Sequence, residues 1–168
     1  MAPYDARMVA NYLLDLADAK KRNLTQAALL KILYFCHGWY LVWKNKPLSA
    51  NDFEAWEYGP VVRVVREAFR SNGKRPIQTR AQRFNLRIGM FEEISNIIEA
   101  NDLVFIEKIF DYYCRFSTSS LIEMTHEKGS PWDKLWNSPE PVARLGLRIK
   151  DEEIRAHFLK GERPKFMI

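Results

Sequence analysis

The chain holds only two cysteines, Cys36 and Cys114, in 168 residues, too few to staple a fold, so both are expected to be free thiols. Charged side chains interrupt every apolar stretch, and nothing reaches the roughly 18 residues that a membrane-spanning helix needs. The opening MAPYDARM has no cationic segment leading into an apolar one, so no secretory signal is expected, and a cytoplasmic protein without a membrane partner is. The seven glycines are scattered and none falls in GxGxxG or GxxxxGK spacing, which removes the glycine-rich phosphate loops. HExxH, GxSxG and Cys-x-x-Cys are absent too, and His37, His126 and His157 lie far apart. Cys36 and His37 are neighbours, but adjacent residues on a helix do not face each other and cannot act as nucleophile and base. His126 is expected at a helix end, as a C-terminal cap rather than a catalytic group. No catalytic residue, metal ligand set or cofactor is therefore expected.

Acid is missing from one place in particular. The chain nets +5, with a pI near 9.2. Between Glu67 and Glu92 no acidic residue occurs, while Arg70, Lys74, Arg75, Arg80, Arg83 and Arg87 supply six positive charges, which leaves the rest at −1. Such a stretch can attract phosphate, so a DNA-binding regulator using residues 63–87, with Arg63 and Arg66 near a groove, is the alternative reading. The stretch offers few aromatics as a stacking platform for single strands, and a patch for an acidic protein explains it as well.

What is present is a folding composition: 47% apolar and 28% charged residues, a mixture that buries a core. Apolar positions recur at helical spacing from Asp5 to Lys20, with Asp5 as N-cap, and from Gln26 to Lys44 behind Thr25. In the second segment the apolar residues fill an arc of roughly 160° or more at about 100° per residue, which predicts a central helix packed on several sides. Leu30 and Tyr34 share the opposite sector with Lys31, His37 and Gly38; they form either an exposed apolar spot or a surface that another helix covers. Phe53–Tyr58 reads as a short strand or an extended loop. Gly59-Pro60 is expected to open a helix through Phe69, with proline in its first turn. Further helices are expected at Met90–Ile98, at Leu103–Phe116, after a Ser120–Glu123 capping box, at Ser130-Pro131-Trp132-Asp133, and at Asp151–Lys160 after a loop with Pro139, Pro141 and Gly146. The expectation is a mainly α, compact helical bundle of one domain, residues 1–168, around the central helix, with room for one short strand pair.

Three stretches carry a resemblance: LTQAALLKILYFCHGWYLVWKNKPL (Leu24 to Leu48), FEAWEYGPVVRVVREAF (Phe53 to Phe69) and SSLIEMTHEKGSPW (Ser119 to Trp132). In order and spacing they resemble the Panacea domain, also called the SocA-like or phage-associated antitoxin domain, over roughly Asp5 to Phe158. Lys31, Leu33, Tyr34, Phe35, Gly38, Trp39 and Tyr40 fall on the first motif. Ala55, Trp56, Tyr58, Gly59, Pro60 and Val61 fall on the second, and Thr125, His126, Pro131 and Trp132 on the third. Two departures stand out: Cys36-His37 replaces a small polar pair, and the segment from Arg75 to Leu103 is long and basic.

The resemblance implies a mainly helical domain without enzymatic activity, encoded beside a toxin gene, often on a prophage, that neutralises the toxin by direct protein–protein binding. Some members act instead as adaptors that hand the toxin to an ATP-dependent protease. The motif residues are expected chiefly to hold the fold. Tyr, Trp and Arg dominate binding hot spots, and the chain has five Trp and seven Tyr. The candidate partner-binding residues are accordingly Leu30, Tyr34, Trp56, Tyr58, Arg63, Arg66, Arg75, Arg80 and Arg83.

Overall fold

A computed structural model describes residues 1–139 and 147–167. The first helix, α1 (Ala6–Ala19), starts where the Asp5 side chain accepts from the Arg7 N–H. The second, α2 (Gln26–Lys44), starts where the Thr25 hydroxyl accepts from Ala28 N–H, and it ends on Asn45 in the left-handed region at φ 53°. Asparagine tolerates that conformation better than most residues do, so it closes the helix without glycine. Strand β1 (Phe53–Trp56) turns into β2 (Gly59–Val61), and α3 (Arg63–Phe69) runs into a 3-10 turn at Arg70–Asn72. A hairpin follows, β3 (Gln82–Asn85) and β4 (Met90–Glu93), then α4 (Ala100–Tyr113), α5 (Thr118–Thr125) and α6 (Pro131–Trp136). Strand β5 (Leu147–Ile149) and α7 (Asp151–Lys160) complete the order. Pro139 is the last described residue before the gap, and Pro141 and Gly146 of the expected loop lie outside the described residues.

Helix α2 is the axis of the molecule. Every residue from Ala28 to Leu41 is buried, so it presents no solvent stripe along three turns and more. Helices α1, α4, α5 and α7 and the three-stranded sheet cover it. The sheet has the order β2-β1-β5, all antiparallel, with Ala55 opposite Pro60 and Phe53 opposite Ile149. Phe53 reaches Tyr34 at 5.3 Å between ring centroids, and Phe158 of α7 reaches it at 5.6 Å. These two rings close over Tyr34, and Leu30 and Tyr34 are only 4% and 2% exposed. Leu30 and Tyr34 therefore form no surface spot. Tyr34 is covered by a strand as well as a helix.

Several expectations of secondary structure change, among them the start of α5, which is capped by Ser117 and not by a Ser120–Glu123 box. The molecule is predominantly helical but carries a three-stranded sheet and a separate hairpin rather than one strand pair, so it is a mixed arrangement and not a plain bundle. Gly59-Pro60 belongs to β2, and helix α3 begins only at Arg63. Proline fits there because β2 is an edge strand, where a missing N–H costs no ladder bond. Residues 90–98 begin as β4 and continue without regular structure, although Met90, Phe91, Ile94, Ile97 and Ile98 have helical spacing. Ile94 and Ile98 are nonetheless buried and tie that segment to the core.

The N-terminus and α7 are held by specific contacts. Tyr4 bridges through its backbone to Leu48 and Ala50, and its hydroxyl donates to the buried Asp102 carboxylate at 2.7 Å; Tyr40 donates to the same oxygen at 3.0 Å. His37 Nδ1 accepts from the Ser49 N–H at 3.3 Å, and Nε2 meets Asp151 Oδ1 at 2.8 Å, which ties α2 to the start of α7. Phe158 lies directly over Gly38, ringed by Tyr34, Phe35 and Trp39. A Cβ on Gly38 would clash with the outer edge of the Phe158 ring, which Tyr34, Phe35 and Trp39 also contact. Replacing a mid-helix glycine by alanine ordinarily stabilises a helix by about 1 kcal/mol. Gly38→Ala should instead destabilise by about 1–3 kcal/mol, the usual range for overpacking, in urea unfolding. A second change, Phe158→Leu, should recover part of that loss; if it adds to the loss instead, the Gly38–Phe158 contact does not limit the packing of α7.

Candidate partner-binding face

The sequence stretches that suggested a family converge on one buried side chain. Lys31 points from α2 toward the β1–β2 turn, 1% exposed, and its Nζ donates to the Pro60 carbonyl at 2.8 Å. Gly59 passes close by at φ +103°; a Cβ there would meet Thr125 Oγ1 at 2.5 Å and Lys31 Cε at 2.9 Å, so only glycine fits. The Trp132 indole N–H donates to the Trp56 carbonyl at 2.7 Å. His126 stacks on Trp132 with centroids 3.7 Å apart and planes 10° apart. Ser130 caps α6 by accepting from Asp133 N–H, and its hydroxyl donates to the Thr125 carbonyl, which links the end of α5 to the start of α6. His126 is thus the C-cap of α5, as expected, but its Nε2 is buried with no hydrogen-bond partner among the described residues.

Burial sets the protonation of this cluster. Removing the Lys31 ammonium from water lowers its pKa to about 7, and a single carbonyl acceptor does not offset that. His126 is also shifted down, by burial first and by the nearby Lys31 charge second. Among the described residues no group of histidine, cysteine, aspartate or glutamate side chains is arranged to hold a metal ion.

Outside this cluster lies the surface that it positions. Trp56 is half-buried, and its indole N–H donates to Glu54 Oε2 at 2.9 Å. Arg63 takes the same carboxylate, at 3.1 and 3.3 Å. The guanidinium carbons of Arg66 and Arg63 lie 4.7 and 5.6 Å from the Trp56 ring centroid, and Arg66 also pairs with Glu67 at 3.2 Å. Tyr58, at the tip of the β1–β2 turn, is 63% exposed. Trp56, Arg63 and Arg66 therefore share one face, an aromatic ring flanked by two cations, with Tyr58 on the adjoining turn.

The other basic candidates are elsewhere. Arg75 donates to the Ser71 and Asn72 carbonyls. Arg80 is clamped between Asp15 and Asp18 of α1, at 2.8 and 2.6 Å, and Arg83 pairs with Glu92 across the hairpin at 3.0 Å. The stretch is acid-free along the chain but not in space. Partners from α1 and β4 take up two of its charges, so the basic residues of the stretch do not stand together as unpaired cations. Sequence reasoning also missed the apolar side chains of the hairpin, Leu86, Ile88, Met90 and Phe91, all exposed. Asn85 and Gly89, flanked by Phe84 and Phe91, were the available turn signal.

Residues 29–133 match the family described as antitoxin SocA-like, Panacea domain, a range that contains Lys31, Trp56, Gly59, His126 and Trp132. The chain is 40% identical over 154 residues to "Antitoxin SocA" of Caulobacter vibrioides (strain NA1000 / CB15N), covering 92% of this chain and 82% of that protein. No solved structure matches.

Lys31 yields a pH test. The unfolded chain keeps the Lys31 proton up to its ordinary value near 10.5, whereas the folded chain loses it near 7. Between those values the unfolded state binds more protons, so this group's contribution to stability rises with pH; below about 7 both states are protonated and the full burial cost applies. Lys31→Met removes the group. The stability of the wild type relative to this variant should rise from about pH 7 to about pH 9 in urea titrations. A pH-independent difference would mean that Lys31 stays charged in the fold.

Proposed function

The chain belongs to the SocA-like, Panacea-domain antitoxin family, and on that premise we propose that it neutralises a cognate protein toxin in the cytoplasm by binding it directly. The observation that carries this reading is the likeness to the Caulobacter vibrioides antitoxin over nearly the whole chain. The face around Trp56 supports it physically. A half-buried tryptophan held by Glu54 is an anchor whose rotamer is set before a partner arrives, so little side-chain entropy remains to be lost on docking. Arg63 and Arg66 add cations at its rim, and Tyr58 adds an exposed ring with a polar tip. A toxin surface that places an apolar group against Trp56 fits this face, with the two arginines held at its rim by Glu54 and Glu67. Phosphate-backbone binding draws less support, since Arg80 and Arg83 already spend their charge on Asp15, Asp18 and Glu92.

The test starts from the adjacent reading frame. A small product of that frame should arrest growth when expressed alone, lose its toxicity when this chain is co-expressed, and co-purify with it. Trp56→Ala with Tyr58→Ala should weaken that complex by about thirty-fold or more, as truncation of a tryptophan hot spot does. Binding should persist through moderate salt, whereas a phosphate-binding protein would lose affinity steeply with log salt. A neighbouring product that is harmless, or that fails to bind, overturns the reading.

A further inference from the structure

The β3–β4 hairpin is an arm with too much apolar surface for a free-standing element. Phe84, Leu86, Ile88, Met90 and Phe91 are between 49% and 88% exposed. At roughly 150–200 Å² per side chain these exposures amount to about 600 Å² of apolar surface, the upper end of what the largest patch on a monomer covers. The apolar groups lie on both faces. Phe84 and Phe91 oppose each other with ring centroids 5.2 Å apart, while Met90 opposes Asn85 on the face that also carries the Arg83–Glu92 pair. The sheet has two strands only, so each has a free edge. The body grips the arm at its base: Asn11 donates to the Ala81 carbonyl and accepts from its N–H, and Arg7 reaches the Gln82 carbonyl at 3.4 Å. Beyond Gln82, no residue outside the hairpin bonds to its backbone among the described residues. A lone two-stranded hairpin is marginal in water, and a free apolar edge invites another strand.

The charges select which strand. β3 and the tip carry only bases, Arg83 and Arg87, and β4 carries only acids, Glu92 and Glu93. A two-fold pairing of β3 with β3 of a second copy would bring no carboxylate to Arg87, since β3 has none, and β4 with β4 would set glutamates beside glutamates without a base, so neither two-fold pairing supplies a counter-charge. Pairing β3 with β4 of the next copy would not close. Arg83 is already neutralised by Glu92, whereas Arg87, in the turn that continues β3, has no carboxylate partner among the described residues. The tip beside the edge of β3 therefore suits a foreign strand that carries acid.

We propose that the neutralised toxin docks here by adding an extended, apolar, acid-bearing strand to the free edge of β3, with Leu86 and Ile88 packing against it and Arg87 pairing with its carboxylate. This inference rests on the antitoxin reading and supplies a second contact, separate from the Trp56 face. Main-chain bonds along β3 would provide affinity, and the side chains at 84–88 would provide specificity.

The probe is the toxic product of the adjacent frame. Leu86→Asp with Ile88→Asp should weaken its binding about thirty-fold or more, and Arg87→Glu about ten-fold, while Arg87→Lys stays near wild type. These side chains are exposed, so thermal melting should be unchanged. On the unaltered protein, adding the probe should slow amide hydrogen exchange at 82–88. Hairpin variants that bind normally, or unchanged exchange at 82–88, overturn the proposal; if Trp56→Ala still abolishes binding, the antitoxin reading survives it. Absence of any binding by the wild type instead removes the antitoxin reading and this inference with it. A dimer in sedimentation that the Leu86→Asp, Ile88→Asp protein converts to a monomer assigns the arm to a second copy and also overturns it.

Discussion

Most of the fold follows from the requirement that α2 be hidden on every side. A helix buried continuously from Ala28 to Leu41 gains a large hydrophobic contribution, but it offers no face where Lys31, His37 or the Tyr40 hydroxyl could meet water. Each of those groups must find its partner on a covering element. Pro60 of the sheet takes Lys31, Ser49 and Asp151 take His37, and Asp102 of α4 takes Tyr40. The covering layer is thus specified by the polar atoms of the axis as well as by apolar area. A shift of one covering element would leave a buried group unpaired.

The Lys31–Pro60 bond is where this requirement reaches the surface. It draws the β1–β2 turn down onto α2, and Gly59 permits the approach because no Cβ stands between Lys31 and Thr125. Trp132 grips the same turn from the other side through the Trp56 carbonyl. Lys31, Gly59 and Trp132 therefore act inward, and their combined effect outward is to hold Trp56 and Tyr58 in place. The division between buried and exposed residues runs through single motifs: in AWEYGPV, Ala55 is buried and Tyr58 is exposed.

Local chemistry was legible wherever neighbours in sequence decide it. The caps Asp5, Thr25 and Ser130, the helix at Asp151–Lys160 and the core placement of Cys36 could all be read from spacing and residue type. Contacts across distance were not. The cover over Tyr34 comes from Phe53 and Phe158, more than a hundred positions apart from each other, and the counter-charges of Arg80 lie 62 and 65 residues away. Pro60 was misread because proline suits a helix start and an edge strand equally, and only its pairing with Ala55 decides between them. Residues 90–98 were misread because five apolar positions at helical spacing can also be one strand and one anchored irregular segment.

The two outward features differ in how they depend on the core. Trp56 and Tyr58 sit on a turn whose backbone is bonded to Lys31 and Trp132, so shifts of that turn strain contacts that the axis requires. The hairpin meets the body through Asn11, Arg7 and the buried Ile94 and Ile98, and its tip residues touch nothing that α2 needs. Substitutions of the exposed Leu86 and Ile88 therefore carry little folding penalty, while those around Pro60 do not escape one. A fold built in this way can vary the exposed arm without repacking its centre.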